Sequence, residues 1–139
     1  MITAHVDGGA RGNPGPAGYG AVISDAAGQT LAELYAGIGI ATNNVAEYRG
    51  LIAALDWAVQ HGHRRLHVKS DSELMVRQML GTYRVKNEGL LPLYQEARQL
   101  AARIGDVTFE HVRREHNKEA DRLANQAMDT AEQVGKLET

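Results

Sequence analysis

The stretch ITAHVD, residues 2–7, alternates apolar and polar side chains and ends in an aspartate. One parity carries Ile, Ala and Val while the other carries Thr, His and Asp, the pattern of a β-strand with one buried face. RLHVKSD, residues 65–71, has the same pattern and also ends in an aspartate. If the two strands are parallel neighbours, Asp7 and Asp71 project together from the carboxyl edge of the sheet, where α/β proteins bind ligands.

The elements around these two strands predict an α/β fold in the order βββαβααβα. Two further strands, 19–24 and 31–40, form an antiparallel meander with the first. The glycine- and proline-rich segment 8–20 is predicted to be a turn. The predicted helices span 44–60, 72–80, 91–104 and 117–128, and the fifth strand spans 107–112. A mixed five-stranded sheet follows, with three antiparallel strands and then parallel ones, flanked by helices.

Length and composition are those of one globular domain. The chain has 139 residues, and we predict a catalytic domain over residues 1–128 and a flexible polar tail over residues 129–139. The absence of cysteine excludes disulfides and thiolate metal sites. The formal charge of −2 means that any attraction for phosphate is local, and bound metal ions can supply it. With no apolar span or signal peptide, a cytoplasmic protein without membrane contact is expected.

Two more acids complete a candidate metal site. Glu47 lies in the first turn of the long helix, and Asp121 lies near the start of the last helix. Magnesium binds hard oxygen ligands, typically a few carboxylates together with substrate phosphate. Two such ions, roughly 4 Å apart, can clamp an in-line displacement at phosphorus. The four acids therefore favour hydrolysis of a nucleic-acid backbone.

Each acid also has a structural explanation of its own. Glu47 stands three residues after Asn44, which is the spacing of a capping box. Asp71 can cap the helix that follows its strand. The other two can be a turn residue and a surface acid paired with Lys118. Taken one at a time, these explanations are favoured, so spacing alone does not establish the site.

The segments that surround the acids occur in a definite order. They are VDGG (6–9), GNPGPAGYG (12–20), TNNVAE (42–47), SDS (70–72), VKN (85–87) and NKEADRLAN (117–125). Together they resemble the ribonuclease H type 1 family over roughly the first 128 residues. No single segment is specific, but the combination is. The resemblance implies a ribonuclease H-like fold with five strands and flanking helices, in agreement with the predicted element order.

The resemblance implies an endoribonuclease that hydrolyses the RNA strand of RNA–DNA hybrids and leaves 5′-phosphate and 3′-hydroxyl ends. It implies two Mg²⁺ ions bound with the substrate, or Mn²⁺ in their place, held by Asp7, Glu47, Asp71 and Asp121. Asp7 would bridge both ions, and Glu47 would also lie near the RNA 2′-hydroxyl. Double-stranded RNA stays open as a further substrate.

Substrate contacts are expected on the glycine loop, on the start of the long helix and after the second helix. Glycine backbone lets a loop approach a ligand closely, and asparagine amides can both donate and accept hydrogen bonds. Thr42 and Asn87 match family positions that hold a phosphate of the DNA strand. The asparagines can also simply form a turn and a helix cap. The expected substrate-binding residues are Gly8, Gly9, Asn13, Thr42, Asn43, Asn44 and Asn87.

The chain departs from the family pattern in two places. Many members carry a histidine on a longer loop before the last aspartate, whereas His116 here is only five residues before Asp121. Relatives with a short loop carry an arginine in this role, which points equally to Arg114, and a solvated basic loop is the alternative. The basic protrusion after the second helix is missing, and we expect no separate hybrid-binding domain. We therefore expect a monomer with weak, salt-sensitive affinity for the hybrid.

Overall fold

The computed structural model describes residues 1–138 and contains one mixed sheet with helices on both faces. The strands are β1 (Ile2–Ala10), β2 (Gly15–Ser24), β3 (Thr30–Ala41), β4 (Arg65–Ser70) and β5 (Asp106–His111). The helices are α1 (Asn43–Gln60), α2 (Glu73–Met79), α3 (Leu91–Ile104) and α4 (Lys118–Glu138), with a short 3-10 turn at Arg114–His116. The predicted α/β class and element order are confirmed.

The neighbours of β1 explain why two of the acids meet. The strands lie in the order β3-β2-β1-β4-β5, and β1 pairs antiparallel with β2 and parallel with β4. In the parallel register Val6 lies opposite Ser70. Asp7 and Asp71 are the next residues along the two chains, so both lie at the same carboxyl edge of the sheet. The prediction of parallel neighbours is confirmed.

The glycine-rich segment is mostly strand, so the prediction of a turn over residues 8–20 is wrong. β1 continues to Ala10 and β2 already begins at Gly15, which leaves only a short connection between them. The glycines of β2 serve close packing instead. A methyl group on Gly18 would stand 2.6 Å from the Cβ of Ala127, and one on Gly20 would stand 2.5 Å from the carbonyl oxygen of Ala120. Glycine here lets α4 lie almost directly on the sheet.

The helices form two layers around the sheet. α1 packs on β1 and β2, and α3 packs against α1, whereas α4 covers β1, β2 and β3. The core lies mainly between the sheet and α1, and its buried members include Val6, Ile23, Leu51, Leu55, Leu66 and Val68. Within the described residues, none of the helices is long and apolar enough to cross a lipid bilayer.

The last helix is longer than its sequence pattern predicts. α4 continues from the predicted end at Met128 to Glu138, and Ala131 in the extension is buried against the sheet. Arg11 forms ion pairs with Asp129 and Glu132 on the same extension. The predicted helix end at Met128 is therefore wrong, because contacts with distant residues stabilise turns that lack an apolar stripe. The flexibility of residues 129–139 stays a prediction, and residue 139 lies outside the described residues.

Candidate active site

Asp7 lies inside β1, at the carboxyl edge of the sheet. Its side chain is buried, and its Oδ1 accepts a hydrogen bond from the backbone N–H of Gly8 at 2.9 Å. β1 continues through Gly8 and Gly9, which pair with β2. Asp7 is therefore not a turn residue, and a carboxylate in the middle of a buried strand calls for a functional explanation.

Glu47 reaches Asp7 because α1 lies unusually close to β1. A methyl group on Gly8 would stand 2.4 Å from the carbonyl carbon of Ala46, and one on Gly50 would stand 3.0 Å from the carbonyl oxygen of Asp7. Only glycine at these positions allows such an approach of helix and strand. Glu47, the residue after Ala46, is thereby brought to the carboxyl edge of the sheet.

Helix capping does not explain Glu47 or Asp71. The N-cap of α1 is Thr42, whose Oγ1 accepts from the N–H of Val45 at 3.2 Å. The N-cap of α2 is Ser72, whose Oγ accepts from the N–H of Met75. The capping-box explanation for Glu47 and the cap explanation for Asp71 are both wrong. Both carboxylates remain available for the cavity between the helices and the sheet.

Three of the acids form a tight group, and the fourth shares their cavity. Carboxylate oxygens of Asp7, Glu47 and Asp71 all lie within 4.8 Å of one another. Asp121, on the first turn of α4, lines the same cavity of about 280 Å³. Its Oδ1 lies 3.4 Å from an Nη of Arg114, so its ion pair is with Arg114 and not with Lys118. The predicted convergence of the four acids is what the structure shows.

The cavity holds carboxylates in an environment that opposes negative charge. Burial, the nearby charge of Asp71 and a hydrogen bond with Asp121 raise the pKa of Asp7 to about 8. Burial and the charges of Asp7 and Asp71 raise the pKa of Glu47 well above its ordinary value. Oε2 of Glu47 is buried and has no hydrogen-bond partner. A bound cation would satisfy that oxygen and relieve the repulsion, so the residues present fit a divalent metal ion.

The structure brings some of the predicted substrate-binding residues to the cavity. Gly8, Gly9 and Asn43 line it. Asn43 also holds the glycine loop, because its Oδ1 accepts from the N–H of Ala10 at 2.8 Å and its own N–H donates to Oδ1 of Asn13 at 3.0 Å. The loop and the start of α1 therefore form one surface beside the acids.

The remaining predicted substrate residues lie outside the cavity. Thr42 caps α1, and Asn44 is exposed on its first turn. Asn87 is exposed between α2 and α3, where its Oδ1 accepts from the N–H of Gly89 at 2.7 Å. Both Asn44 and Asn87 are exposed, so their side chains are accessible to a substrate. Their substrate contacts stay predictions.

The sequence favours Arg114 and His116 equally as the residue that assists the four acids, but the structure places the two side chains differently. Arg114 lines the acid cavity and is the ion-pair partner of Asp121. His116, two residues further along the 3-10 turn, lines a separate cavity of about 350 Å³ together with His5. Of the two candidates, only Arg114 is brought to the acids.

Sequence reasoning did not single out three residues that complete the site. Asn125 lines the cavity and donates from Nδ2 to the carbonyl oxygen of Asp121 at 2.9 Å. Met128 also lines the cavity, with its Cε 3.3 Å from where a Cβ of Gly9 would stand. Asn117 is buried at the start of α4. Both asparagines lie within the NKEADRLAN segment, but nothing in their spacing distinguishes them from surface residues.

Known proteins share both this sequence and this fold. A family model described as Reverse transcriptase-like matches residues 5–127. The ribonuclease HI of Halobacterium salinarum is 41% identical over 130 residues, which cover 94% of this chain and 65% of that protein. LC11-RNase H1, solved in complex with an RNA/DNA hybrid, superposes with a TM-score of 0.89 at 46% identity, covering 94% of this chain and 99% of that one. The chain belongs to the ribonuclease H type 1 family.

A mycobacterial relative of this ribonuclease H chain is longer than the chain itself. The bifunctional protein Rv2228c of Mycobacterium tuberculosis is 54% identical over 133 residues, which cover 95% of this chain but 36% of that protein. The N-terminal RNase H domain of Rv2228c, solved as a fusion with maltose binding protein, superposes with a TM-score of 0.93 at 52% identity over 96% of this chain and 97% of that one. The chain thus spans about a third of the length of this relative. The predicted ribonuclease H-like fold is confirmed.

Proposed function

We propose that this ribonuclease H chain is an endonuclease that hydrolyses the RNA strand of RNA–DNA hybrids with two divalent metal ions. The observation that carries the proposal is the group of three carboxylates within 4.8 Å, one of which has a buried oxygen without a partner. A protein gains nothing in stability from such a group, because like charges in a buried site repel. The presence of such a group therefore indicates a function that requires a bound cation.

Asp7, Glu47, Asp71 and Asp121 are the residues that would hold the ions, with Mg²⁺ as the expected metal and Mn²⁺ as a substitute. Asp7 lies among the other acids and would help to hold both ions. The bound ions would supply activation of a water molecule and stabilisation of charge on the scissile phosphate. Hard oxygen donors and the absence of nitrogen or sulfur ligands in the group suit magnesium better than zinc.

The other cavity residues would orient the substrate. The guanidinium of Arg114 can bind a phosphate oxygen, and the side chain is 76% exposed. Gly8 and Gly9 present backbone without side-chain bulk, and the amide of Asn43 lies beside them. A 2′-hydroxyl both donates and accepts hydrogen bonds, so this polar surface suits an RNA strand. Cleavage on the 3′-oxygen side of the phosphate gives 5′-phosphate and 3′-hydroxyl ends.

The hybrid as substrate is supported by a relative. LC11-RNase H1, at 46% identity, was solved with an RNA/DNA hybrid. In this chain only residues 80–90 separate α2 from α3, and they form no further helix. The contact area available to the DNA strand is therefore small, and we expect hybrid binding to be weak and to weaken further as salt is added.

The test compares three duplexes of one sequence under one condition. An RNA–DNA hybrid, an RNA duplex and a DNA duplex, each labelled on both strands, are incubated with the protein in Mg²⁺ and in EDTA. We expect cleavage of the RNA strand of the hybrid in Mg²⁺ only, with 3′-hydroxyl ends that a polymerase can extend. Cleavage of the RNA duplex at a comparable rate would widen the substrate class. A preference for DNA, or cleavage in EDTA, would contradict the proposal.

A further inference from the structure

Asn117 links the two elements that carry Asp7 and Asp121. It is 1% exposed, and its Nδ2 donates a hydrogen bond to the carbonyl oxygen of Val6 at 2.9 Å. Val6 immediately precedes Asp7 in β1. On the other side, the carbonyl oxygen of Asn117 accepts the N–H of Asp121 at 3.0 Å, in the first turn of α4. One residue thus connects the backbone beside one acid to the backbone that carries the other.

The buried contact between α4 and β2 is apolar, and the ion pairs of Arg11 with Asp129 and Glu132 lie farther along the helix, at its exposed surface. Ala120, Leu123 and Ala124 rest on the flat surface that Gly20 leaves in β2. Contacts between apolar groups are not directional, so they fix the position of the helix along its axis less sharply than a hydrogen bond does. A hydrogen bond depends steeply on distance and angle. The bond from Asn117 is therefore the contact best able to set the position of Asp121 relative to Asp7.

The amide of Asn117 is poorly satisfied apart from this bond. Its Oδ1 is buried and has no hydrogen-bond partner. A buried acceptor without a donor is unfavourable, and leucine, which has the same branched skeleton of four side-chain heavy atoms, carries no such acceptor. Stability alone does not explain an asparagine here. The directional bond to Val6 does.

We propose that Asn117 is a positioning residue that sets the separation of Asp7 and Asp121 and thereby the affinity of the cavity for a divalent ion. The inference rests on the proposed function, because it assumes that these acids bind metal. Asn117 contacts neither the ion nor the substrate and acts through the backbone of its two neighbours. Residues that orient metal ligands in this way commonly change metal affinity by about 10–100-fold.

The test measures binding of Mn²⁺ alone, without substrate, by calorimetry and by loss of the free-ion electron paramagnetic resonance signal. Asn117→Leu keeps the branched skeleton of the side chain, with more bulk, and removes the bond to Val6. We expect its Kd for Mn²⁺ to rise about tenfold, while its Tm in EDTA stays close to that of the wild-type chain. Asn117→Ala is a second variant with the same expected shift in Kd, should leucine prevent folding.

Leu100→Ala is the matched control. Leu100 is buried on α3, a helix that carries none of the acids, so truncation lowers the Tm without touching the link between β1 and α4. We expect its Kd for Mn²⁺ to stay unchanged. If Asn117→Leu bound Mn²⁺ with the Kd of the wild type, or if Leu100→Ala lost as much Mn²⁺ affinity as Asn117→Leu, the positioning role of Asn117 would be overturned. The proposed metal site itself would still stand. Failure of the wild-type chain to bind Mn²⁺ would overturn the metal proposal and this inference together.

Discussion

The acid cavity has two sides that differ in their surroundings. On the β1 side, Asp7 is buried and Glu47 is half-buried between a strand and a helix that glycine allows to pack closely. On the α4 side, Asp121 is 30% exposed and lies beside Arg114, which is 76% exposed. The first side holds negative charge against a strong electrostatic penalty, whereas the second balances its acid with a mobile cation.

The difference separates the acids, which require metal, from Arg114, which adjusts the site. Buried like charges cannot all be ionised without a cation, so the β1 side is expected to be all-or-none in its response to substitution. Exposed ion pairs are screened by water and contribute little. Arg114, the cation of the α4 side, is therefore expected to change the reaction rate by small factors only.

The largest effect is expected from Asp7→Asn, which removes the central charge of the buried side. Loss of a direct ligand should exceed the effect of losing an outer partner, so we expect the cleavage rate of the hybrid in Mg²⁺ to fall more than about 100-fold. Single-turnover cleavage measures the rate, and circular dichroism verifies the fold. Residual activity within tenfold of wild type would place the essential ions elsewhere.

Gly8→Ala tests whether the contact of α1 with β1 builds the buried side. The added methyl group would meet the backbone of Ala46, which has no flexible end that could move aside. A displacement of about 1 Å in a catalytic group can reduce a rate about 100-fold, and overpacking destabilises by about 1–3 kcal/mol. We therefore expect Gly8→Ala to lower both the rate of hybrid cleavage and the free energy of unfolding. A cleavage assay measures the first effect, and urea unfolding measures the second.

Gly135→Ala is the control for that variant. Gly135 is exposed within α4 and has open space where a methyl group would stand. Alanine in a helix is more favourable than glycine by about 1 kcal/mol, so this variant should gain stability and keep full activity. If Gly8→Ala behaved in the same way, the close approach of helix and strand would have no part in the site.

The buried side also predicts how pH affects the stability of the metal-free chain. The pKa of Asp7 is raised from 3.8 to about 8, so between these values the folded chain retains a proton that the unfolded chain releases. The resulting contribution to the free energy of unfolding is complete below pH 4 and is lost as pH rises towards 8, by up to ~1.4 kcal/mol per pH unit.

Urea unfolding in EDTA between pH 5 and pH 8 measures this dependence. Glu47, whose pKa is raised for the same reasons, adds to the slope in the same direction. Asp7→Asn should reduce the slope, and Mg²⁺ should restore stability at pH 8 because it binds the ionised carboxylates. Stability that rises with pH in EDTA would contradict the assigned burial of charge.

The smallest effect is expected on the α4 side. Arg114→Ala removes an exposed cation 3.4 Å from Asp121, and we expect a loss of cleavage rate of about fivefold or less. His116→Ala should change the rate by less than about twofold, because His116 lines a different cavity. Measuring both variants at the same pH and salt sharpens the comparison. An equal or larger loss for His116→Ala would reverse the assignment.

Local patterns predicted the parts of the structure that depend on nearest neighbours. Alternation in two strands, together with the assumption that they are parallel neighbours, placed Asp7 and Asp71 at one edge, and the helical stripe placed α1. Packing between distant elements was not visible. Glycine was interpreted as a turn signal, although Gly18 and Gly20 lie in a strand beneath a helix. The end of α4 and the choice of Arg114 over His116 also depend on contacts far apart in the chain.

The extension of α4 beyond Met128 affects how a C-terminally truncated protein would behave. Asp129 and Glu132 hold the guanidinium of Arg11, which follows directly on the end of β1. A chain shortened at Met128 would lose both partners and leave an unpaired cation next to the glycine loop, where we expect substrate contacts. Such a truncation would keep all four acids yet alter nonspecific attraction to nucleic acid, so a shortened version and the full chain would differ in salt dependence.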